Sequence, residues 1–343
     1  MTLKTFGRRP HGRHLDLIKK SPQYHNNAFR NSSVTRLMEE NGSMLKATWK
    51  FFNKPKNTVP PAALPSVTTN LKTLPGNKAS VVWFGHSSYL LSIHGKNILV
   101  DPVFSGYASP FAAFAKSFKG SNVFSADDLP AIDLLIITHD HYDHLDYTTI
   151  MQLLPKTKAV CTSLGVSSHL VYWGMEEEKI TELDWWQEAH INGIQVTGAP
   201  ARHFSGRGLT RYKTLWSSFV VQTEGYKIYV GADSGYDTHF ATIGSNYGPF
   251  DLAILETGQY NEAWRHIHMM PEEAVQATLD LKAKALLPVH WAKFALALHA
   301  WDEPVKRVLK EAAIKNVKVT TPLIGEPVMI NESYPSQKWW ETV

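Results

Sequence analysis

The sequence predicts an α+β fold in which two mixed β-sheets pack together and helices cover their outer faces. Short apolar segments recur along residues 79–343, and turn residues join the first of them into hairpins. Residues 132–138 are apolar almost throughout, which is typical of a strand buried on both faces. Helical segments lie between some of the later strands, and we expect them to cover the sheets from outside.

The strands are predicted from apolar and β-branched runs that end at turn residues. The turn His94-Gly95-Lys96 joins two of them, and Asp101-Pro102 ends the next. We predict strands at residues 81–84, 89–93, 97–100, 132–138, 195–198, 217–222, 227–230, 251–255 and 285–289. The clearest helix is predicted at residues 271–284, because Pro271 lies in its first turn and two glutamates follow near its positive end.

Residues 1–78 differ in composition from the rest, so we predict a basic N-terminal arm followed by one domain at residues 79–343. A short helix is expected around residues 34–52. Residues 1–60 hold 12 Lys/Arg and 3 Asp/Glu, a balance of +9 in a chain whose net charge is +4. The arm could be a solvated extension or a surface that meets an anionic membrane or acidic ligands. The lack of a block of adjacent charges favours the extension.

Composition excludes several classes of protein. The chain has 343 residues, 43% of them hydrophobic, which is enough for a large core. No apolar run approaches the roughly 20 residues that span a bilayer, and the N-terminus lacks the apolar segment of a secretory signal. The single Cys161 cannot form an intrachain disulfide, which fits a reducing compartment. We therefore expect a cytoplasmic protein with at most peripheral membrane contact; a homo-oligomer stays open.

The chemistry-bearing motif is His139-Asp140-His141-Tyr142-Asp143-His144, directly after the buried strand. Imidazole nitrogens and carboxylates suit zinc and other divalent first-row metals. His139 and His141 are two residues apart and can point the same way. Asp143 and His144 are offset from them and can point another way, so this spacing favours two metals over one. A single histidine at a strand end is usually a cap or a satisfied polar residue, but four ligand types in six residues indicate a metal site.

One loop cannot complete a two-metal site, so further ligands must come from other strand ends. Three residues follow apolar segments in the required way: His203, Asp233 and His290. Each could instead be a structural polar residue. The hexad makes the ligand interpretation the stronger one.

Residues 138–146, THDHYDHLD, resemble the signature of the metallo-β-lactamase superfamily. Other segments resemble, in order and wording, the N-acyl-phosphatidylethanolamine-hydrolysing phospholipase D group. They are residues 83–87 (WFGHS), 101–105 (DPVFS), 182–186 (ELDWW), 231–236 (GADSGY), 247–252 (YGPFDL) and 270–274 (MPEEA). The resemblance implies a four-layer αββα sandwich with a dinuclear metal site at one edge of the sheets.

The resemblance also implies a role for each matching residue. His139, His141 and His203 would bind one zinc ion, and Asp143, His144 and His290 the second. Asp233 would bridge the two metals, and His268 would contact the substrate phosphate. His86 and Asp101 match family positions that support the ligands.

The implied activity is that of a dinuclear-metal phosphodiesterase of the phospholipase D type, which cleaves N-acyl-phosphatidylethanolamine-like lipids through a metal-bridging hydroxide. The expected catalytic residues are Asp143, Asp233 and His268, and which carboxylate takes the proton stays open. Zinc is the expected metal, although iron or manganese would suit the same ligands. Alternatives are a lactonase or another phosphoesterase acting on a small molecule, or a binding module with a vestigial metal site. The acidic body argues against a nucleic acid partner.

Overall fold

The computed structural model describes residues 3–38 and 55–343. Most of the helix expected at residues 34–52 falls on residues 39–54, outside the described residues, and residues 34–38 are not helical. Within the described residues, no helix is both long and apolar enough to cross a bilayer.

The described chain contains strands and short helices that alternate from residue 79 onward. The strands are β1 (Tyr24–His25), β2 (Ala28–Phe29), β3 (Ala79–Trp83), β4 (Tyr89–Ile93), β5 (Lys96–Val100), β6 (Leu134–Ile137), β7 (Val160–Ser163), β8 (Ile180–Leu183), β9 (Glu188–Ile191), β10 (Ile194–Ala199), β11 (Ser218–Thr223), β12 (Tyr226–Val230), β13 (Leu252–Glu256), β14 (Leu286–Val289) and β15 (Pro327–Met329). The α-helices are α1 (Arg13–Ile18), α2 (Tyr147–Leu153), α3 (Ser167–Tyr172), α4 (His239–Tyr247), α5 (Pro271–Asp280) and α6 (Glu303–Lys315).

Two mixed sheets form the centre of the fold, as the sequence predicts. The first has the order β15-β3-β4-β5-β6-β7-β8, antiparallel up to β5 and parallel from β5 to β8. The second has the order β14-β13-β12-β11-β10-β9, parallel from β14 to β12 and antiparallel beyond. Each sheet therefore has a parallel half, and the carboxyl ends of its parallel strands meet at one edge.

Successive side chains of a strand point to opposite faces of the sheet, and this alternation explains the layers of the fold. In β3, Val81 and Trp83 point into the core between the sheets, whereas Val82 packs on the opposite face. The outer face of the first sheet is covered by α2 and α3, and that of the second by α5 and α6. The result is the predicted αββα sandwich.

Prediction and structure differ at element ends and in short strands. The helix predicted at residues 271–284 ends at Asp280, because Lys282 adopts a left-handed conformation (φ 57°) and the Ala283 N–H donates to the Thr278 carbonyl. The predicted set omits six short strands of the described chain: β1 and β2 in the arm, and β7, β8, β9 and β15 in the two large sheets. Of these, β8, β9 and β15 lie at sheet edges, where one side needs no apolar neighbour and the sequence pattern is weak.

The described part of the N-terminal arm packs against the sandwich. Asn26 and Asn27 both have positive φ (51° and 59°) and turn β1 into β2, as two-residue hairpin turns require. Ile18 and Phe29 are fully buried in a cluster that includes Trp216.

Candidate metal centre

The hexad loop begins where β6 ends, and Asp101 fixes its start. Asp101, just past β5, accepts hydrogen bonds from the Thr138 N–H (2.9 Å) and hydroxyl (2.6 Å). Its Oδ2 also lies 2.8 Å from His144 Nδ1. Because β5 and β6 are parallel neighbours, their ends bring this carboxylate and the hexad together. Asp101 thus supports His144 from behind, as the family resemblance implies.

Four predicted residues form the first group of metal-type side chains. His139 Nε2 lies 2.9 Å from His141 Nδ1, and His203 Nε2 lies 3.2 Å from the same atom. The Asp233 Oδ2 atom lies 3.9 Å from His139 Nε2 and 3.7 Å from His203 Nε2. One nitrogen or oxygen of each residue lies within 4.8 Å of the others, so the group can hold a metal ion.

The second group contains Asp143, His144 and His290, together with His86. His144 Nε2 lies 3.7 Å from Asp143 Oδ2 and 3.2 Å from Asp233 Oδ2. The His290 Nδ1 atom lies 3.2 Å from Asp233 Oδ1. His86 Nε2 lies 2.9 Å from Asp143 Oδ2 and so orients that carboxylate. The structure therefore brings all seven predicted ligands together, with Asp233 between the two groups.

Unpartnered polar atoms show that this centre fits a cation. Within the described residues, His144 Nε2 and Asp233 Oδ1 are buried without a hydrogen-bond partner. Such atoms are costly unless something satisfies them, and a metal ion would do so. Imidazole nitrogens that converge around a carboxylate are the donor set of zinc and related metals.

Burial and neighbouring charges set the protonation of the ligands. Burial lowers the pKa of His141 to about 4 and holds those of His139, His203 and His290 well below the usual range. These imidazoles are therefore neutral at pH 7, as a metal ligand must be. Burial raises the pKa of Asp233 to about 6.

His144 behaves differently from the other ligands. Burial alone would lower its pKa, but the carboxylates of Asp233, Asp143 and Asp101 outweigh burial and raise the pKa well above its ordinary value. In the metal-free protein His144 is therefore protonated at neutral pH, and a metal ion must displace that proton.

The sequence did not indicate that the N-terminal arm supports this centre. The Asn31 side chain donates to the His203 carbonyl (2.8 Å) and accepts from the His203 N–H (3.1 Å). The Trp216 indole N–H also donates to Asn31 Oδ1 (3.0 Å). Asn31 therefore fixes the backbone of a predicted ligand, and a lone asparagine in an irregular segment carries no signal of that role.

Glu256 is a second residue that the sequence did not indicate. It is the last residue of β13, is 1% exposed, and its Oε2 lies 2.7 Å from His268 Nδ1. Asp233, Glu256, His268 and His290 form a third close group of metal-type side chains. The sequence did contain a signal for Glu256, because this glutamate follows an apolar segment. Asp233 and His290 were predicted as ligands from the same context.

The centre forms the floor of a cleft of about 260 Å³. Its walls are mostly apolar, and Arg211 is the one Lys or Arg side chain among its described lining residues. The lining residues are Leu37, Met38, His141, Asp143, His203, Phe204, Arg211, Asp233, Gln259, Trp264, Ile267, His268, His290 and Leu296. The cleft suits a molecule with apolar chains and an anionic group.

If the centre holds two zinc ions, the protonation states predict that they leave at different pH values. The ion at His139, His141 and His203 meets neutral imidazoles and should remain down to about pH 5. The ion at Asp143, His144 and His290 competes with the His144 proton and should be lost first as the pH falls from 8. Zinc content after dialysis across this range measures both steps. Loss of both ions in one step would contradict the assignment.

Comparison with known proteins identifies the family. The beta-lactamase superfamily domain matches residues 96–291. An uncharacterized protein of Mycobacterium tuberculosis, Rv0906, is 39% identical over 327 residues, which cover 94% of this chain and 88% of the relative. N-acyl-phosphatidylethanolamine-hydrolyzing phospholipase D 1 of Caenorhabditis elegans is 31% identical over 245 residues, which cover 67% of this chain and 68% of the relative.

A solved structure shows the same fold. Igni18, a metallo hydrolase from Ignicoccus hospitalis, superimposes with a TM-score of 0.56 at 22% identity, over 74% of this chain and 99% of Igni18. The metal-type cluster lies where the hexad, the strand ends and the family signature place it. The chain therefore belongs to the metallo-β-lactamase superfamily and is a metal-dependent hydrolase.

Proposed function

We propose that this chain is a dinuclear-metal phosphodiesterase of the phospholipase D type that cleaves N-acyl-phosphatidylethanolamine-like lipids. The observation that carries the proposal is a pair of ligand groups with Asp233 between them, on the floor of an apolar cleft. The C. elegans relative carries that activity in its name, which supports the choice of substrate class.

Two divalent cations would be held by the seven residues named above. When bound, they would lower the pKa of a water molecule and neutralise charge on a phosphoryl group. Zinc fits the donor set, and the same ligands would accept iron or manganese. Asp233 lies between the groups, with Oδ2 3.2 Å from His144 Nε2 and 3.7 Å from His203 Nε2, so its carboxylate would contribute negative charge to both.

His268 is one of the residues that line the cleft. Its ring centroid lies 5.0 Å from that of His203 and 5.4 Å from that of His290. Because Nδ1 is bound to Glu256, Nε2 is the ring atom left for substrate, and it makes no hydrogen bond within the described residues. We assign His268 the role of holding the phosphoryl group or the leaving oxygen.

Arg211 and the apolar walls would select the substrate. The Arg211 guanidinium lies 5.2 Å from the ring centre of Phe204, and that ring packs on His141 with centroids 4.5 Å apart. A phosphodiester carries one negative charge, which a cation at the cleft can attract. The apolar walls would hold acyl chains.

Peripheral contact with a lipid surface belongs to the same proposal. Residues 111–114, Phe-Ala-Ala-Phe, are all exposed, and Lys116 and Lys119 of the same loop are exposed as well. The Phe6 ring lies 6.2 Å from that of Phe111 and 6.5 Å from that of Tyr142 in the hexad. An apolar patch with lysines, continuous with the metal loop, fits an anionic bilayer surface.

A substrate panel tests the proposed activity. The zinc-loaded protein should cleave N-acyl-phosphatidylethanolamine and, more slowly, bis(p-nitrophenyl) phosphate, and should leave an acyl lactone intact. Asp143→Asn should lower the rate by about 100-fold or more, because it removes a ligand charge from the second group. Glu188→Gln, on the exposed edge strand β9, is the matched control and should keep full activity. Cleavage of the lactone alone would overturn the phosphodiesterase proposal.

Vesicle sedimentation tests the lipid contact. The double variant Phe111→Ser/Phe114→Ser should bind vesicles containing phosphatidylserine more weakly than the natural protein, since it removes the exposed aromatic rings. Ile314→Ser, an exposed apolar residue of α6, is the control and should bind normally. Unchanged vesicle binding, with a dimer lost in size-exclusion chromatography, would show instead that the patch joins two copies of this chain.

A further inference from the structure

Glu256 lies at the point where the parallel strands of the second sheet converge on the centre. β13 runs between β12 and β14, with Val230 opposite Ile254 and Val289 opposite Glu256. The chain that follows β12 carries Asp233, and the chain that follows β14 carries His290. The Glu256 side chain is therefore flanked by the two turns that present these ligands.

One carboxylate ties two separate loops together. Glu256 Oε1 accepts hydrogen bonds from the Ser234 N–H (2.7 Å) and the Met269 N–H (3.2 Å), and Oε2 lies 2.7 Å from His268 Nδ1. Ser234 directly follows Asp233, and Met269 directly follows His268. Glu256 thus holds each loop at the residue that directly follows a side chain of the proposed function, Asp233 in one loop and His268 in the other.

The burial of the Glu256 side chain is energetically unfavourable and therefore needs an explanation. A buried carboxylate is destabilising unless it is paired or hydrogen-bonded. Among the described residues, Glu256 forms no ion pair with Lys or Arg, and its one charged-type partner is His268. Burial raises the pKa of Glu256 above its ordinary value, whereas the hydrogen bonds from the Ser234 and Met269 N–H groups favour the charged carboxylate.

We propose that Glu256 is a positioning residue that holds the His268 ring with Nδ1 inward and Nε2 toward the substrate, at a fixed separation from Asp233. The inference rests on the proposed function for the role of His268. With Oε2 unprotonated, Glu256 can only accept a hydrogen bond there, so the contact makes Nδ1 the protonated nitrogen of His268. The lone pair or second proton of Nε2 is then available in the cleft.

Glu256→Gln tests the proposal with little change of shape. The two backbone N–H groups require the amide oxygen on their side, so the amide NH₂ faces His268 and Nδ1 must accept a hydrogen bond. We expect zinc content to stay the same and kcat to fall by about 10- to 100-fold with little change in KM. When His268 is already replaced by Gln, adding Glu256→Gln should lower kcat almost no further, since the two residues act as one unit.

Nitrogen-15 NMR of labelled histidine gives a readout that does not need activity. His268, identified by the signal lost in His268→Gln, should be protonated at Nδ1 in the natural protein and at Nε2 in Glu256→Gln. Asp251→Asn, at the opposite end of β13, is the control and should change neither the tautomer nor kcat. The proposal would be overturned if the His268 tautomer were the same in the natural protein and in Glu256→Gln, or if Glu256→Gln lost zinc. It would also be overturned if the two substitutions lowered kcat independently in the double variant. If no phosphodiester is cleaved, the proposed function fails, and the tautomer still decides the role of Glu256.

Discussion

The structure depends on the convergence of four imidazoles around the buried carboxylate of Asp233. Atoms of His139, His144, His203 and His290 lie 3.2–3.9 Å from its two oxygens. These residues come from three separate strand ends, so only the complete sandwich brings them together. A one-residue shift in the register of a strand would turn its side chains to the other face of the sheet.

Polar partners of Nδ1 on five of the histidines explain how the convergence is held. His139 Nδ1 contacts the Thr138 hydroxyl, His144 Nδ1 contacts Asp101, His203 Nδ1 contacts the Ile267 carbonyl, His290 Nδ1 contacts the Ser87 hydroxyl, and His268 Nδ1 contacts Glu256. Such outer partners set the tautomer and orientation of metal ligands and are part of what makes a site selective. The pKa values follow from the same arrangement, because buried imidazoles stay neutral unless carboxylates surround them, as they surround His144.

Much of the centre could be predicted from the sequence because its ligands are locally conspicuous. The hexad is dense in ligand residues after an apolar strand, and Asp233 and His290 also follow apolar strands. The αββα sandwich followed from the strand pattern together with the family signature. Edge strands such as β8 escaped prediction because half of their surface is free of packing constraints.

The supporting residues were harder to predict, for a different physical reason. Asn31 and Glu256 act through hydrogen bonds to residues 172 and 12 positions away, and no local pattern records such pairs. Asn31 shows that the N-terminal arm contributes to the centre although its composition suggested a loose extension. Long-range polar contacts of this kind depend on the finished fold, whereas periodicity and motif spacing depend on the segment alone.

The central proposal is that the two ligand groups on either side of Asp233 would each hold a metal ion. An anomalous difference map at the zinc absorption edge, from crystals of the zinc-loaded protein, tests it most directly. The account predicts two peaks, one beside His139, His141 and His203 and the other beside Asp143, His144 and His290, with the Asp233 carboxylate between them. A single peak, or a second peak away from Asp233, would contradict the account.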